Sequence, residues 1–236
     1  MKRIFFILTT ICLLNICNSV FAQSDNSLGN WDTFVVKGKI SPGFSLFGEV
    51  QICSPKYNLK YEYFEVKSGF SYSFSHKLTG LIGTGIYDTY QPNEFFKTPV
   101  VKKEFRTWLE MTYKQLLGRV NLEHRVRIEQ RFIPDNYKNR FRYRFATTLP
   151  VNKPQMVPGC FFLTVYDELW IPQFGDGSFL DKNRFYSGVG YKNNESTTFS
   201  IGCMSDTNYK SGLVSYKKYL QISLIYDFSK LFEKHT

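Results

Sequence analysis

Histidine is scarce in this 236-residue chain, with three, and acid is outnumbered, with 20 Asp and Glu against 30 Lys and Arg for a formal charge of +10. No long apolar run exists apart from residues 4–14. That excludes a bundle of membrane-spanning helices, each of which needs about 20 apolar residues. Five cysteines fall to three, Cys53, Cys160 and Cys203, once the N-terminal leader described below is removed. An odd number without CxxC spacing argues against a disulfide framework or a zinc site, so the three are expected to stay free. Repeats, low-complexity segments and linkers are lacking, and 43% hydrophobic with 21% charged residues excludes intrinsic disorder. Rings are what the chain has in excess: 23 Phe and 16 Tyr, in a composition 18% aromatic.

Residues 1–22 read as a secretory signal. Lys2 and Arg3 make the charged start, Ile4 to Leu14 the apolar stretch, and Val20-Phe21-Ala22 the cleavage site before Gln23. Asn15-Ile16 ahead of Cys17 does not suit lipidation. An exported chain rarely meets nucleic acid, so the basic balance is not read as a nucleic-acid footprint. Residues 23–236 then form one domain.

Period-two alternation dominates from Trp31 to Phe228. Phe64, Val66, Phe70, Tyr72 and Phe74 fall on one face, and Tyr63, Glu65, Lys67, Ser71 and Ser73 on the other. Val120, Leu122, Val126, Ile128 and Phe132 alternate with Asn121, Glu123, Arg125, Arg127, Glu129 and Arg131, and Phe141, Tyr143 and Phe145 with Arg140, Arg142 and Arg144. Eleven strands are predicted, at 30–40, 44–52, 61–74, 78–91, 102–116, 119–132, 140–149, 160–171, 183–191, 196–206 and 218–228. Most are long enough to cross a bilayer at a tilt, which takes roughly 9–11 residues. Short gaps alternate with longer ones, except for the ten-residue connection 150–159. The expected fold is all-β: an antiparallel up-and-down transmembrane barrel. Single-chain bacterial barrels have even strand numbers. The reading is therefore ten strands, with 30–40 outside the wall, or twelve, with one hidden near the N-terminus.

Alternation does not say which face is outside. Three observations favour apolar residues facing lipid over a soluble barrel. The polar face is rich in Arg (106, 125, 127, 131, 140, 142, 144 and 184) and carries rings, Tyr61, Tyr63, Trp108, Tyr166 and Tyr186. Planar guanidinium groups suit ion-pair ladders in a confined space. Ten or more long strands would also enclose a lumen hard to fill with apolar side chains. The last strand, Gln221-Ile222-Ser223-Leu224-Ile225-Tyr226-Asp227-Phe228, resembles the signal read by the barrel-assembly machinery, an expected partner during biogenesis.

The predicted lumen wall is a charge lattice of Glu104, Arg106, Trp108, Glu110, Arg125, Arg127, Glu129, Arg131, Arg140, Arg142, Arg144, Glu168 and Arg184. A two-residue turn at Leu117-Gly118 pairs Glu110 with Arg125, Arg106 with Glu129, Glu104 with Arg131 and Trp108 with Arg127. Moving the turn one residue on sets Arg106 against Arg131. Across the next loop, Glu129 is expected opposite Arg142, with Arg127 near Arg144. Either the lattice locks register and partly closes the lumen, or its excess of Arg at 140–144 attracts an anionic solute.

The mature chain resembles an uncharacterised family of Bacteroidetes-type outer-membrane barrels, DUF2490. The resemblance runs through Trp31, Arg106-Thr107-Trp108, His124 to Phe132, Arg140 to Arg144, Tyr166-Asp167-Glu168, Asn183-Arg184 and Gly188-Val189-Gly190-Tyr191. It implies an outer-membrane barrel and brings no catalytic residue.

Catalysis finds little support. His76 lies in a turn and His235 in the tail, while His124 falls on the apolar face, opposite Met111 and near Thr147, without a serine or carboxylate. Asp167, a charge on that face, is expected at a bulge. Asp176 and Asp181 lack the rest of a calcium loop, so no metal or cofactor is expected. The expected function is a non-enzymatic, porin-like small pore or a plugged structural or surface barrel in the bacterial outer membrane. Its expected partners are outer-membrane lipid and an anionic solute. A lipid-modifying barrel enzyme and a soluble periplasmic binding protein are the rival classes.

Overall fold

The computed structural model describes residues 27–57, 60–92, 95–173, 179–210 and 213–232. The signal and its cleavage site, Asp176 and His235 lie outside them. Eleven strands follow one another: β1 (Leu28–Ser41), β2 (Phe44–Ser54), β3 (Tyr63–Ser73), β4 (Leu78–Thr89), β5 (Lys102–Leu117), β6 (Val120–Ile133), β7 (Asn136–Pro150), β8 (Cys160–Pro172), β9 (Lys182–Lys192), β10 (Thr197–Lys210) and β11 (Leu213–Asp227). A short helix, α1 (Ser229–Phe232), follows. Each strand pairs antiparallel with the next, and β1 pairs with β11 to close the barrel.

The all-β barrel expected from alternation is the fold, with eleven strands where ten or twelve were expected. Strand β1 does join the wall, paired on one edge with β2 and on the other with β11. An odd number of up-and-down strands leaves the first and last running the same way, so the closing pair is parallel, with Leu28 beside Lys218 and Lys37 beside Asp227. Val50 pairs Val66, then Ile86, Phe105, Phe132 and Tyr137, the second residue of β7. A row starting mid-wall thus climbs out at the end of the wall, the stagger of strongly tilted strands.

Two predicted loops are strand. The segment 133–139 becomes a tight turn in which Ile133 pairs Asn136, with Asp135 at φ 58° beside Pro134, a type II pattern. The segment 207–217 is mostly the paired ends of β10 and β11, with Lys210 beside Leu213. At the end holding the turns 42–43, 74–77, 118–119 and 193–196, residues 151–159 remain a long connection. Arg119 anchors it by donating to the carbonyls of Pro150 (2.6 Å), Val151 and Lys153 (2.9 Å each).

The β5–β6 register is one step from the one expected. Leu117 pairs Val120, so the turn is Gly118-Arg119, and Gly118 takes φ 61° in its first position. Glycine there marks a II′ hairpin, whose twist matches the strands. Glu110 accordingly sits opposite Arg127, Trp108 opposite Glu129, and Arg106 opposite Arg131. The β6–β7 pairing also shifts, setting Glu129 opposite Arg140 and Arg127 opposite Arg142. His124 faces Tyr113 and Phe145 rather than Met111 and Thr147. Asp167 makes no bulge: β8 keeps continuous register on both sides. Its carboxylate instead accepts from Asn183 Nδ2 at 2.7 Å across the wall.

The wall is inverted relative to a water-soluble protein. Ile82, Leu109 and Ile128 point outward, more than half exposed, while Glu129, Glu168, Asp206 and Arg140 are buried inside. Rings fill close approaches between strands. A Cβ on Gly83 would stand 2.2 Å from the Trp108 ring, and one on Gly190 2.1 Å from Phe162.

Candidate functional site

All thirteen residues of the expected lattice sit on inward positions of β5–β9. Trp108 is buried against Gly83, and the other twelve make ion pairs. Three of the four contacts expected across β5–β6 are present, as diagonal rather than directly opposite neighbours. Arg131 grips both oxygens of Glu104, Arg127 lies 4.8 Å from the Trp108 ring, and Arg125 Nε stands 3.7 Å from Glu110. The fourth, Arg106 with Glu129, is not an ion pair; Arg106 Nε donates to Glu104 at 2.8 Å and its guanidinium stacks 3.6 Å from Tyr87. Diagonal neighbours are within reach of long side chains, which is why the pairing survives the register shift.

Two carboxylates tie the lattice together. Glu129, with 0% exposure, accepts from Arg140 (2.6 and 3.0 Å), Arg142 (2.6 Å) and Arg127 (3.3 Å). Glu168 accepts from Arg142 (2.8 and 3.1 Å) and from Arg125. Glu110 holds Arg127 through two nitrogens at 2.6 and 2.7 Å. Glu123 holds Arg144 at 2.6 Å, closer to the short-turn end.

Sequence reading missed a second tier. Asp206 accepts from Arg184 (2.7 and 2.8 Å) and Lys182 (2.9 Å). Trp170 is a shared cation–π platform, with Arg140, Arg142, Lys182 and Arg184 between 4.2 and 5.2 Å from its ring. On β2 and β3, Lys67 bridges Glu49 (2.6 Å) and Glu65 (2.5 Å). Trp170 shares the inward parity of Glu168 and could have been found from it. Lys182 and Asp206 escaped because they sit at or just beyond the predicted strand ends.

Inside the barrel lies a cavity of about 690 Å³. The lattice forms one side, and Thr33 and Val35 of β1, Ser223 and Ile225 of β11 and Ser200 of β10 form the other. Eleven Lys and Arg line it against six Asp and Glu. Glu104, Glu110 and Glu129 are absent from that lining, sunk behind the guanidinium groups they neutralise. The surface a solute would meet is therefore positive. Cys53 and Cys160 are buried and Cys203 is exposed, all free.

No curated protein and no solved structure matches this chain. The sequence model of the family described as protein of unknown function, DUF2490, matches residues 28–216. That span covers β1 to β10, the start of β11 and every residue of the lattice, so the chain belongs to the DUF2490 family.

Proposed function

We propose that this chain is a non-enzymatic outer-membrane barrel protein, exported by its leader and inserted by the barrel-assembly machinery. Its lumen is braced and largely closed by the charge lattice, leaving at most a narrow conduit. The observation that carries this reading is the inverted wall, with buried ion pairs inside and bare Ile, Leu, Val and Phe outside. In water that outer surface would be a single apolar patch far beyond what soluble proteins tolerate. Strands of 11 to 16 residues also suit a tilted crossing.

Rings gather at both rims, as aromatic girdles do at the two interfaces of a bilayer. Phe44, Tyr72 and Phe74, and Phe161 with Tyr191, cluster at the short-turn end. Phe105, Phe132 and Tyr137 do so at the other. His124 belongs to the girdle rather than to a catalytic pair. Its Nδ1 meets the Tyr143 hydroxyl at 2.8 Å, and its ring packs 4.9 Å from Phe145.

The mature protein should fractionate with the outer membrane and migrate faster on gels unheated than boiled. In planar bilayers it should conduct weakly, and Arg142→Ala with Arg144→Ala should raise that conductance. Recovery as a soluble periplasmic protein would overturn the membrane reading, and a large unselective conductance would overturn the closed lumen.

A further inference from the structure

Several lattice cations have a principal carboxylate, while Arg106 and Arg131 share Glu104 and Arg140 shares Glu129. Arg127 has Glu110, Arg144 has Glu123, Arg184 has Asp206, and Arg142 has a two-nitrogen grip on Glu168. Arg125 is held less firmly than these, by one carboxylate hydrogen bond. It borrows an oxygen of Glu168 already bonded to Arg142, and stands 3.7 Å from Glu110 without a hydrogen bond. Its direct neighbour across β6–β7 is another arginine, Arg144. Both Nε atoms are shielded from solvent and neither has a hydrogen-bond acceptor. Both side chains line the cavity, and the Arg144 guanidinium lies 5.5 Å from the Tyr166 ring.

Like charges placed directly opposite repel, and buried N–H donors without acceptors are uncommon in folded proteins. A group bearing negative charge in the cavity answers the repulsion, and two or more acceptor oxygens let it engage the guanidinium N–H donors that line that cavity. We propose that Arg125 and Arg144 are the seat of an oxyanion site inside the barrel, taking the phosphate or carboxylate group of a small free solute. Guanidinium groups bind such groups through paired N–H donors. The closed wall separates the seat from surrounding lipid, so a headgroup in the leaflet does not supply the anion. The inference goes beyond the proposed function and does not depend on which membrane holds the barrel.

The test uses the full mature protein folded in detergent micelles at low ionic strength, where charge interactions are least screened. Inorganic phosphate is titrated in by calorimetry, with acetate as the carboxylate probe. In parallel, the arginine Nε–Hε resonances are followed by NMR and assigned through Arg125→Lys and Arg144→Lys. Expected are saturable phosphate binding, selective shifts of the Arg125 and Arg144 signals, and at least tenfold weaker binding in Arg125→Gln. The melting temperature of Arg125→Gln should hold or rise, because the substitution removes a cation that lacks its own counter-charge. Absence of saturable binding, equal shifts across all lumen arginines, or unchanged affinity in Arg125→Gln would overturn the site. The wild-type titration decides the question even if that variant fails to fold. Because the measurement is made in micelles, failure of outer-membrane fractionation would leave its result intact.

Discussion

Glu129→Gln is the sharpest perturbation of the lattice. The wild-type carboxylate has no solvent contact and accepts hydrogen bonds from Arg127, Arg140 and Arg142. Glutamine keeps the shape and one acceptor oxygen, yet it removes the charge and turns an N–H₂ toward guanidinium groups that cannot accept. Breaking a buried ion pair by removing one partner costs roughly 3–5 kcal/mol, most of it from the charge left behind. Glu123→Gln is the internal control. Glu123 is 27% exposed and holds Arg144, with Lys114 at 3.8 Å, so its loss should cost under about 1 kcal/mol. Urea unfolding in lipid vesicles, followed by tryptophan fluorescence and by loss of the fast unheated gel band, measures both. Adding Arg140→Gln to Glu129→Gln should recover part of the loss, because it removes one stranded cation. If Glu129→Gln costs no more than Glu123→Gln, the buried carboxylates are not what holds the lattice together.

Register can be checked by charge exchange: Glu110→Arg should be rescued better by Arg127→Glu, its direct partner, than by Arg125→Glu, and the reverse order in unfolding midpoints would contradict the pairing. Gly83→Ala should lower the unfolding free energy by roughly 1–3 kcal/mol, since its methyl group would meet the Trp108 ring, and no change would mean the indole is loosely held. Cys203, exposed on the outer wall, should react in vesicles with a lipophilic maleimide and resist a charged one, while buried Cys53 and Cys160 stay slow toward both. Rapid charged labelling of Cys203 would place that face in water.

The strands were legible because period two is enforced twice here, by apolar side chains on one face and charges on the other. Phe141 and Tyr143 between Arg140, Arg142 and Arg144 admit no other phase. Turn chemistry was harder to read. Gly118 could occupy either position of a two-residue turn, and charge complementarity favoured the wrong one because diagonal and direct partners are both within reach of Arg and Glu. Pro134-Asp135 looked like loop because Pro and Asp are turn formers, here followed by the polar Asn136, Lys138 and Asn139. Asp206 and Lys182 were hidden for a related reason: a strand reading stops where polar residues cluster, and at these ends the polar cluster is the interior. Asp167 drew the opposite error, a bulge invoked for a charge that Asn183 satisfies across the wall.

The odd strand number has a consequence for assembly. Ten of the eleven interfaces join strands that follow one another, so a nearby connection can start each pairing. The eleventh brings together residues from the two extremes of the chain, such as Gln221 and Thr33, 188 positions apart, whose side chains meet at 3.3 Å. Its ladder is parallel, with slanted bonds and slightly weaker pairing per residue. Bringing distant segments together is the slow step of such topologies. Closure of the cylinder is therefore expected here last, as a curled sheet whose two free edges meet pointing the same way. Phe228 then acts as a latch: its amide donates to the Lys37 carbonyl at 2.8 Å and its ring lies in the space that a side chain at Gly38 would occupy.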